Sequence, residues 1–207
     1  MPVQKAPEVV IYRLPLYLRA LALLEKEQVS TISSLGLAQR LQLTSAQVRK
    51  DLSYFGRFGK QGKGYDVKKL LNELRNILNL NRVWNMALVG VGTLGRAIVN
   101  YEGFLPNGFK IVSAFDINPD QVGKRVGNLQ VEHMSNLQNS IKEKDIQIGI
   151  IAVPPARAQE VIDLLTANGI RTILNYAPAS VRIRPGTVVR SIDPVLSLQS
   201  MTYYLKT

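Results

Sequence analysis

The chain has 207 residues, 46% of them hydrophobic, which is enough for one large domain or two small ones with ordinary globular cores. Its 26 Lys and Arg against 15 Asp and Glu give a formal charge of +11 and a pI near 10.0, which favours an anionic partner such as nucleic acid or a membrane surface. It contains no cysteine, so a disulfide framework, a thiolate metal site, a catalytic thiol and thiol-based redox sensing are excluded, and metal ligation is not expected.

The basic excess is uneven: residues 1–85 hold 14 basic and 6 acidic side chains, residues 86–207 hold 12 and 9. The first part is therefore the expected polyanion binder. Near its start, Arg13, Pro15 and Arg19 interrupt the apolar residues, and no run reaches the roughly 18 needed to span a bilayer, so a soluble cytoplasmic protein without membrane contact is expected. Ile11, Leu14, Leu18, Leu21 and Leu24 repeat at a helical period and predict a helix over residues 11–27. A second helix fits "SLGLAQRLQL" through Leu35, Ala38 and Leu41. Thr44 with Gln47 has the form of a capping box, predicting a third helix from Ser45 to about Phe55. In "GRFGKQGKGYDV" four glycines read as a tight hairpin between two short strands, and Leu70, Leu71, Leu74, Ile77 and Leu78 predict a helix from Val67 to about Asn79.

Three helices followed by a basic glycine hairpin are the plan of a winged helix-turn-helix, whose third helix enters the major groove. Helical spacing puts Val48, Leu52 and Phe55 on the anchoring face and Ala46, Arg49, Lys50 and Ser53 on the projecting one. Arg49 suits a bidentate contact with guanine, while Lys50, Arg57, Lys60 and Lys63 suit phosphates. With Gln47, Gly64 and Tyr65 these residues form the expected DNA-binding set.

Beyond Met86 short apolar strands alternate with helical stretches: "MALVG", "FKIVSAFDI", a weaker "LQVE", "IQIGIIAV" and "RTILNY" predict a doubly wound, mainly parallel sheet of Rossmann type. The expected division is a winged-helix domain over 1–80, a dinucleotide domain over 81–193 and a terminal helix over 194–207. "LVGVGTLGRA" carries the G-x-G-x-x-G spacing between a strand and a helix, with Gly90 permitting a tight turn, Gly92 letting the backbone approach a pyrophosphate and Gly95 allowing close helix–strand packing. Val91, Thr93 and Leu94 complete the loop. Asp116, 21 residues after Gly95, is placed to bond the adenosine ribose and to favour NAD(H) over NADP, although Lys124 and Arg125 stand nearby. Strand ends at Ala152, Val153 and Pro154, and at Asn175, Tyr176 and Ala177, are expected to face the cofactor. His133, the single histidine, is expected to line the adenosine side or a turn rather than to act as a base. Tyr65 and Lys69 match a Tyr-x-x-x-Lys spacing only by coincidence, since they precede the cofactor domain. Acid–base equipment for hydride transfer is thus thin.

"VRKDLSYFGRFGKQGKGYDV", "LVGVGTLGRA", "NYEGF", "FDINP", "ILNYAP" and "QSMTYYL" closely resemble, in order and over nearly the whole chain, the blocks of the Rex redox-sensing transcriptional repressors of bacteria. The resemblance implies a homodimer that binds a palindromic operator and releases it when NADH binds, a non-enzyme whose last helix crosses to the partner subunit. It also implies that Tyr101 lies near the nicotinamide, and that Asp193 at the start of the swapped helix pairs with Arg19 on the first helix. Two departures stand out: Pro194 where the family more often has an aliphatic residue, and Asn118 in place of a common aspartate. The tail "PVLSLQSMTYYL" has no charged side chain and needs cover. The rival readings are a small NAD-dependent oxidoreductase with an accessory basic domain, and a plain DNA-binding protein whose Rossmann domain only dimerises.

Overall fold

Helix α1 (Glu8–Lys26) places Glu8 in its first turn and Lys26 in its last, each matched to the helix dipole, in a computed structural model that describes residues 6–60 and 62–205. Its buried face runs Val10, Leu14, Tyr17, Leu21 and Leu24, so Ile11, expected in the apolar stripe, lies outside at 41% exposure. Pro15 sits within the helix on its solvent side, where water can take up the carbonyl its ring displaces. Strand β1 (Thr31–Ile32) follows, then α2 (Ser34–Leu41), whose first turn is capped by the Ser33 hydroxyl accepting from the Gly36 N–H at 3.0 Å. The turn into α3 (Ser45–Ser53) is made by Gln42 in the left-handed region at φ 56°, and the Leu43 N–H closes on the Ala38 carbonyl. The Thr44 hydroxyl caps α3 by accepting from the Gln47 N–H at 3.1 Å. The hairpin β2 (Gly59–Lys60) and β3 (Gly64–Asp66) is antiparallel, β1 pairs on the other side of β3, and α4 (Val67–Ile77) starts at once, capped by Asp66. One core unites the unit: Leu14, Tyr17, Leu21, Leu37, Val48, Leu52, Tyr65, Leu70 and Leu74 all contribute.

The chain separates into two units, Met1–Arg82 and Val83–Thr207. The second comprises β4 (Trp84–Val89), α5 (Thr93–Val99), β5 (Phe109–Asp116), β6 (Arg125–Val126), β7 (Leu129–His133), α6 (Leu137–Glu143), β8 (Ile146–Ile151), α7 (Ala158–Ala167), β9 (Thr172–Asn175), β10 (Val188–Ser191) and α8 (Pro194–Met201). The sheet order is β10-β9-β8-β4-β5-β7-β6, parallel throughout except for β6 against β7. The chain leaves β4 toward β5 and later returns on the other side through β8, so the crevice at the carboxyl ends of these strands is the topological switch point where α/β sheets bind ligands. Leu88 and Ile150 face one core and Val89, Phe115 and Ile151 the other, the two-sided burial that the apolar runs require. Helix α8 is different. Every described residue from Pro194 to Leu205 is exposed, including Leu196 at 64% and Leu205 at 75%.

Candidate nucleic-acid interface and nucleotide cleft

In the first unit, Val48 and Leu52 lock α3 into the core while Ala46, Arg49, Lys50 and Ser53 stay exposed and Gln47 half-buried. An Arg49 Nη donates to the Ser34 hydroxyl at 3.1 Å, so the guanidinium is held over the start of α2 beside the α3 face. A cleft between α3 and the hairpin is lined by Ser34, Arg49, Ser53, Arg57, Phe58 and Gly64. Arg57 and Lys63 are exposed at its edge; the Lys60 side chain lies outside the described residues. Gly64 has φ +73°, and a Cβ there would stand 2.5 Å from the Ile32 carbonyl, so β1 can pair with β3 only because this residue has no side chain. Tyr65 does not project its ring outward with the other members of the expected DNA-binding set. It is 8% exposed because alternation along β3 turns its ring inward beneath the hairpin, and burial pushes its phenol pKa up while nearby Arg49 pulls it the other way.

A feature not read from the sequence lies behind α3. Asp51 is buried, with Arg13 Nε at 2.6 Å and Arg13 Nη2 at 2.8 Å on its two carboxylate oxygens and the Tyr17 hydroxyl donating at 2.7 Å. The available signal was an acidic residue next to Leu52, on the anchoring side of a basic helix.

In the second unit the glycine loop has the geometry its spacing demands. Gly90 has φ +95° and a Cβ there would meet the Ala152 carbonyl at 2.5 Å; a Cβ on Gly95 would fall 1.9 Å from the Gly90 carbonyl. Around Gly92 nothing lies within 4 Å of the missing Cβ, so its backbone borders open space. Thr93 and Leu94 open α5 and are exposed, and no side chain caps the helix at Gly92. These are the features a pyrophosphate cradle needs, and the loop fits such a group.

Asp116 does more than the spacing implies. One carboxylate oxygen accepts from the Val91 N–H at 2.7 Å and the other from the Asn118 N–H at 2.9 Å, so it braces the loop from the end of β5. Asn118 in turn caps the following turn by accepting from the Asp120 N–H at 2.9 Å. The adjoining cleft is walled by the apolar side chains of Ile117, Met134, Val153, Pro154, Val161 and Leu164, with Ala152 also in its lining. Arg157 and Glu160, paired at 2.8 Å, and Gln121, hydrogen-bonded by Arg96, stand at its rim. None of these rim residues was singled out from the sequence, although the first turn of a helix after "AVPP" must stand at the same strand end.

Three expected contacts are placed otherwise. His133 lies beside Asp116 in strand register, yet its Nδ1 accepts from the Ser135 N–H at 3.2 Å, which makes it the cap of a turn, while Met134 takes the place in the cleft wall. Asn175 is fully buried, and its amide donates to and accepts from the backbone of Ala177, itself buried, at 3.0 Å each way. It shapes the loop after β9 from within. Tyr176 is half-buried, and burial, with a smaller contribution from Tyr101 close by, raises its phenol pKa. Tyr101 is 61% exposed and stacks edge-on against Phe104 at 5.0 Å. Its ring folds over Gly103, where any Cβ would lie 2.4 Å from it, so Gly103 is the seat that lets Tyr101 adopt this position.

Arg19 is exposed on α1. Asp193 caps α8, one oxygen accepting from the Val195 N–H at 2.9 Å, with Pro194 at the first helical position where no amide is needed. No described helix is long and apolar enough to cross a membrane, and the described residues hold no group of three or more His, Cys, Asp or Glu placed for a metal.

Residues 5–53 match a family model described as the N-terminus of a putative DNA-binding protein, and residues 81–179 match the CoA binding domain model. The chain is 51% identical to the redox-sensing transcriptional repressor Rex of Chloroflexus aggregans (strain MD-66), over 96% of this chain and 94% of that one, and 43% identical to the Rex of Carboxydothermus hydrogenoformans, over 98% and 97%. Among solved structures, RSP in complex with NAD+ and operator DNA is 36% identical with a TM-score of 0.92, covering 98% of this chain and 93% of that one. RSP in complex with NADH is 34% identical with a TM-score of 0.87, over 98% and 95%. With the winged-helix unit, the glycine cradle and the near-complete coverage in place, this chain belongs to the Rex family of redox-sensing transcriptional repressors.

Proposed function

We propose that the protein is a homodimeric repressor that reads operator DNA through α3 and its hairpin and releases it when NADH occupies the cleft of the second unit. The observation that carries this reading is that one chain joins a reading helix with an exposed Arg49 and Lys50 to a glycine cradle braced by Asp116. The relatives are named as repressors, which favours a regulator over the oxidoreductase alternative. Operator binding puts its work with the bacterial chromosome, in the cytoplasm.

When bound, the dinucleotide supplies the signal itself, a cationic planar ring in the oxidised form and a neutral one in the reduced form. The residues of this chain do the rest. Gly90, Val91, Gly92 and Gly95 bring backbone to the pyrophosphate, and Asp116 holds that backbone in place while its carboxylate repels a 2′-phosphate. Ile117, Leu164 and Val153 would hold the adenine against apolar surface, and Tyr101 and Tyr176 would be the residues nearest the nicotinamide. The tail from residue 194 passes to the partner subunit, covering its apolar side chains and bringing Asp193 to the partner's Arg19. Any such signal shifts the dimer between two geometries only by its differential affinity for them, and only one geometry matches the operator half-site spacing.

The test is a gel shift on an operator selected from a random-sequence pool, with NADH and NAD+ titrated separately. NADH is expected to release the DNA at concentrations where NAD+ does not. Equal effects of the two overturn the sensor reading.

A further inference from the structure

The contact between α1 and α3 holds a group whose burial the core does not require. Helix α3 has nine residues, and its apolar grip is Val48 and Leu52 with half-buried Phe55. Such a grip is non-directional and does not by itself fix one roll of a short helix. Asp51 adds a directional one. Both of its carboxylate oxygens are engaged from a single turn of α1: Arg13 grips them in bidentate fashion at 2.6 and 2.8 Å, and the Tyr17 hydroxyl takes a second lone pair at 2.7 Å. The Asp51 side chain is almost wholly enclosed at 2% exposure, and Arg13 is largely so at 16%.

Buried ion pairs are poor stabilisers compared with apolar side chains of the same volume, and their best-attested use is to fix one geometry among several. The geometry at stake here is plain. Asp51 directly follows Arg49 and Lys50, so fixing its azimuth fixes theirs. With side-chain tips about 6 Å from a helix axis, a roll of about 20° moves them by about 2 Å. That displacement breaks a bidentate contact with a base edge, but leaves a flexible lysine in range of phosphate.

We propose that Arg13 and Tyr17, acting through Asp51, are positioning residues that set the roll of α3 and thereby the base discrimination of the repressor. The proposal rests on the DNA-binding reading of α3. It makes the triad a determinant of specificity rather than of affinity or stability.

The experiment uses the full-length protein, the selected operator and a random-sequence duplex of equal length. The apolar replacement Arg13→Met, Tyr17→Phe, Asp51→Leu is expected to melt at or above the parental temperature and to bind random duplex with unchanged affinity and salt dependence. Its operator-to-random affinity ratio is expected to fall at least tenfold. Asp51→Asn, which keeps the side-chain shape but strips Arg13 of its carboxylate, is expected to lower the same ratio at least fivefold at temperatures where it is fully folded. Retention of the parental ratio within twofold in either folded variant overturns the proposal. A parent with no operator preference at all removes the DNA-reading role of α3, and the proposal falls with it for that separate reason.

Discussion

Asp116→Ala separates two roles that a carboxylate at the end of β5 can have. If it served only a ribose, its loss would leave the ligand-free protein unchanged. In the structure it also accepts the Val91 N–H at 2.7 Å, and Val91 is wholly buried, so removal strands a backbone donor away from water. Such an orphaned group costs about 1–3 kcal/mol, and the second bond, to the exposed Asn118 N–H, adds about 0.5 kcal/mol because water replaces it. A loss of roughly 2–3 kcal/mol lowers the melting temperature of a unit this size by roughly 6–12 °C. The chain's single tryptophan, Trp84, begins β4 of the same unit, so its fluorescence follows that melting directly. NADH affinity should fall separately, by about 10- to 150-fold, through loss of a charge-assisted ribose contact worth about 1.5–3 kcal/mol. An Asp116→Ala protein whose ligand-free Trp84 transition stays within 2 °C of the parent, while NADH binding drops, would show that the brace contributes nothing.

The two nearby glycines should diverge. Gly92→Ala has room for its Cβ and should melt like the parent while binding NADH at least tenfold more weakly, because the methyl enters the open space at the cradle; normal affinity by titration would refute that placement. Gly95→Ala drives its Cβ into the Gly90 carbonyl and should cost about 2–4 kcal/mol of unfolding free energy in denaturant melts. Gly103→Ala displaces the Tyr101 ring and should alter the NADH response of operator binding without changing affinity for DNA alone; an unchanged NADH midpoint in the gel shift refutes the seat. Glu132 faces burial, which disfavours its charge, but Lys144 at 2.7 Å and the Ser140 and Asn136 side chains outweigh it and hold its pKa below the usual carboxylate value. A carboxylate with a depressed folded pKa stabilises fully above its unfolded value of about 4.3 and loses that contribution as pH falls through the lower folded value. Melting of the Trp84 unit should therefore decline as pH falls from about 5 toward 3, and Glu132→Gln should flatten that decline.

The parts of the fold that were legible in the sequence are those where one residue type has no substitute. A backbone that approaches a carbonyl to 1.9 Å of a would-be Cβ admits only glycine, so Gly95 announces its own packing, and Thr44 announces the start of α3 because an unpaired amide needs an oxygen there. The strands β1, β6 and β10 were not legible. They have two to four residues each and lie at sheet edges, too short for an alternating pattern to declare itself. Tyr65 was misplaced for a related reason: alternation gives its two-residue period but not which side of the hairpin meets the core. The stripe on α1 slipped toward Ile11 because Tyr17, polar at one end, was not counted among the apolar residues, yet its ring is fully buried and its hydroxyl is spent on Asp51. That His133 caps a turn and that Asn175 is buried within one depend on backbone geometry that no spacing encodes.

The tail joins both kinds of evidence. An uncharged run that exposes Val195, Leu196, Leu198, Met201 and Leu205 at half or more of their surface is a patch that a protein in water covers, and the single chain does not cover it. Its first residues are arranged so that cap and proposed ion pair need not compete. Pro194 has no amide to satisfy, so the first N–H of the helix is that of Val195, and one oxygen of Asp193 accepts it. In the proposed dimer the second oxygen is the one that meets a guanidinium. Arg19 from the partner can therefore form or break its contact with Asp193 while α8 stays capped, which is what a contact that differs between two operator-binding states requires. The departure at position 194 thus preserves the start of the helix and leaves the switch contact chemically available.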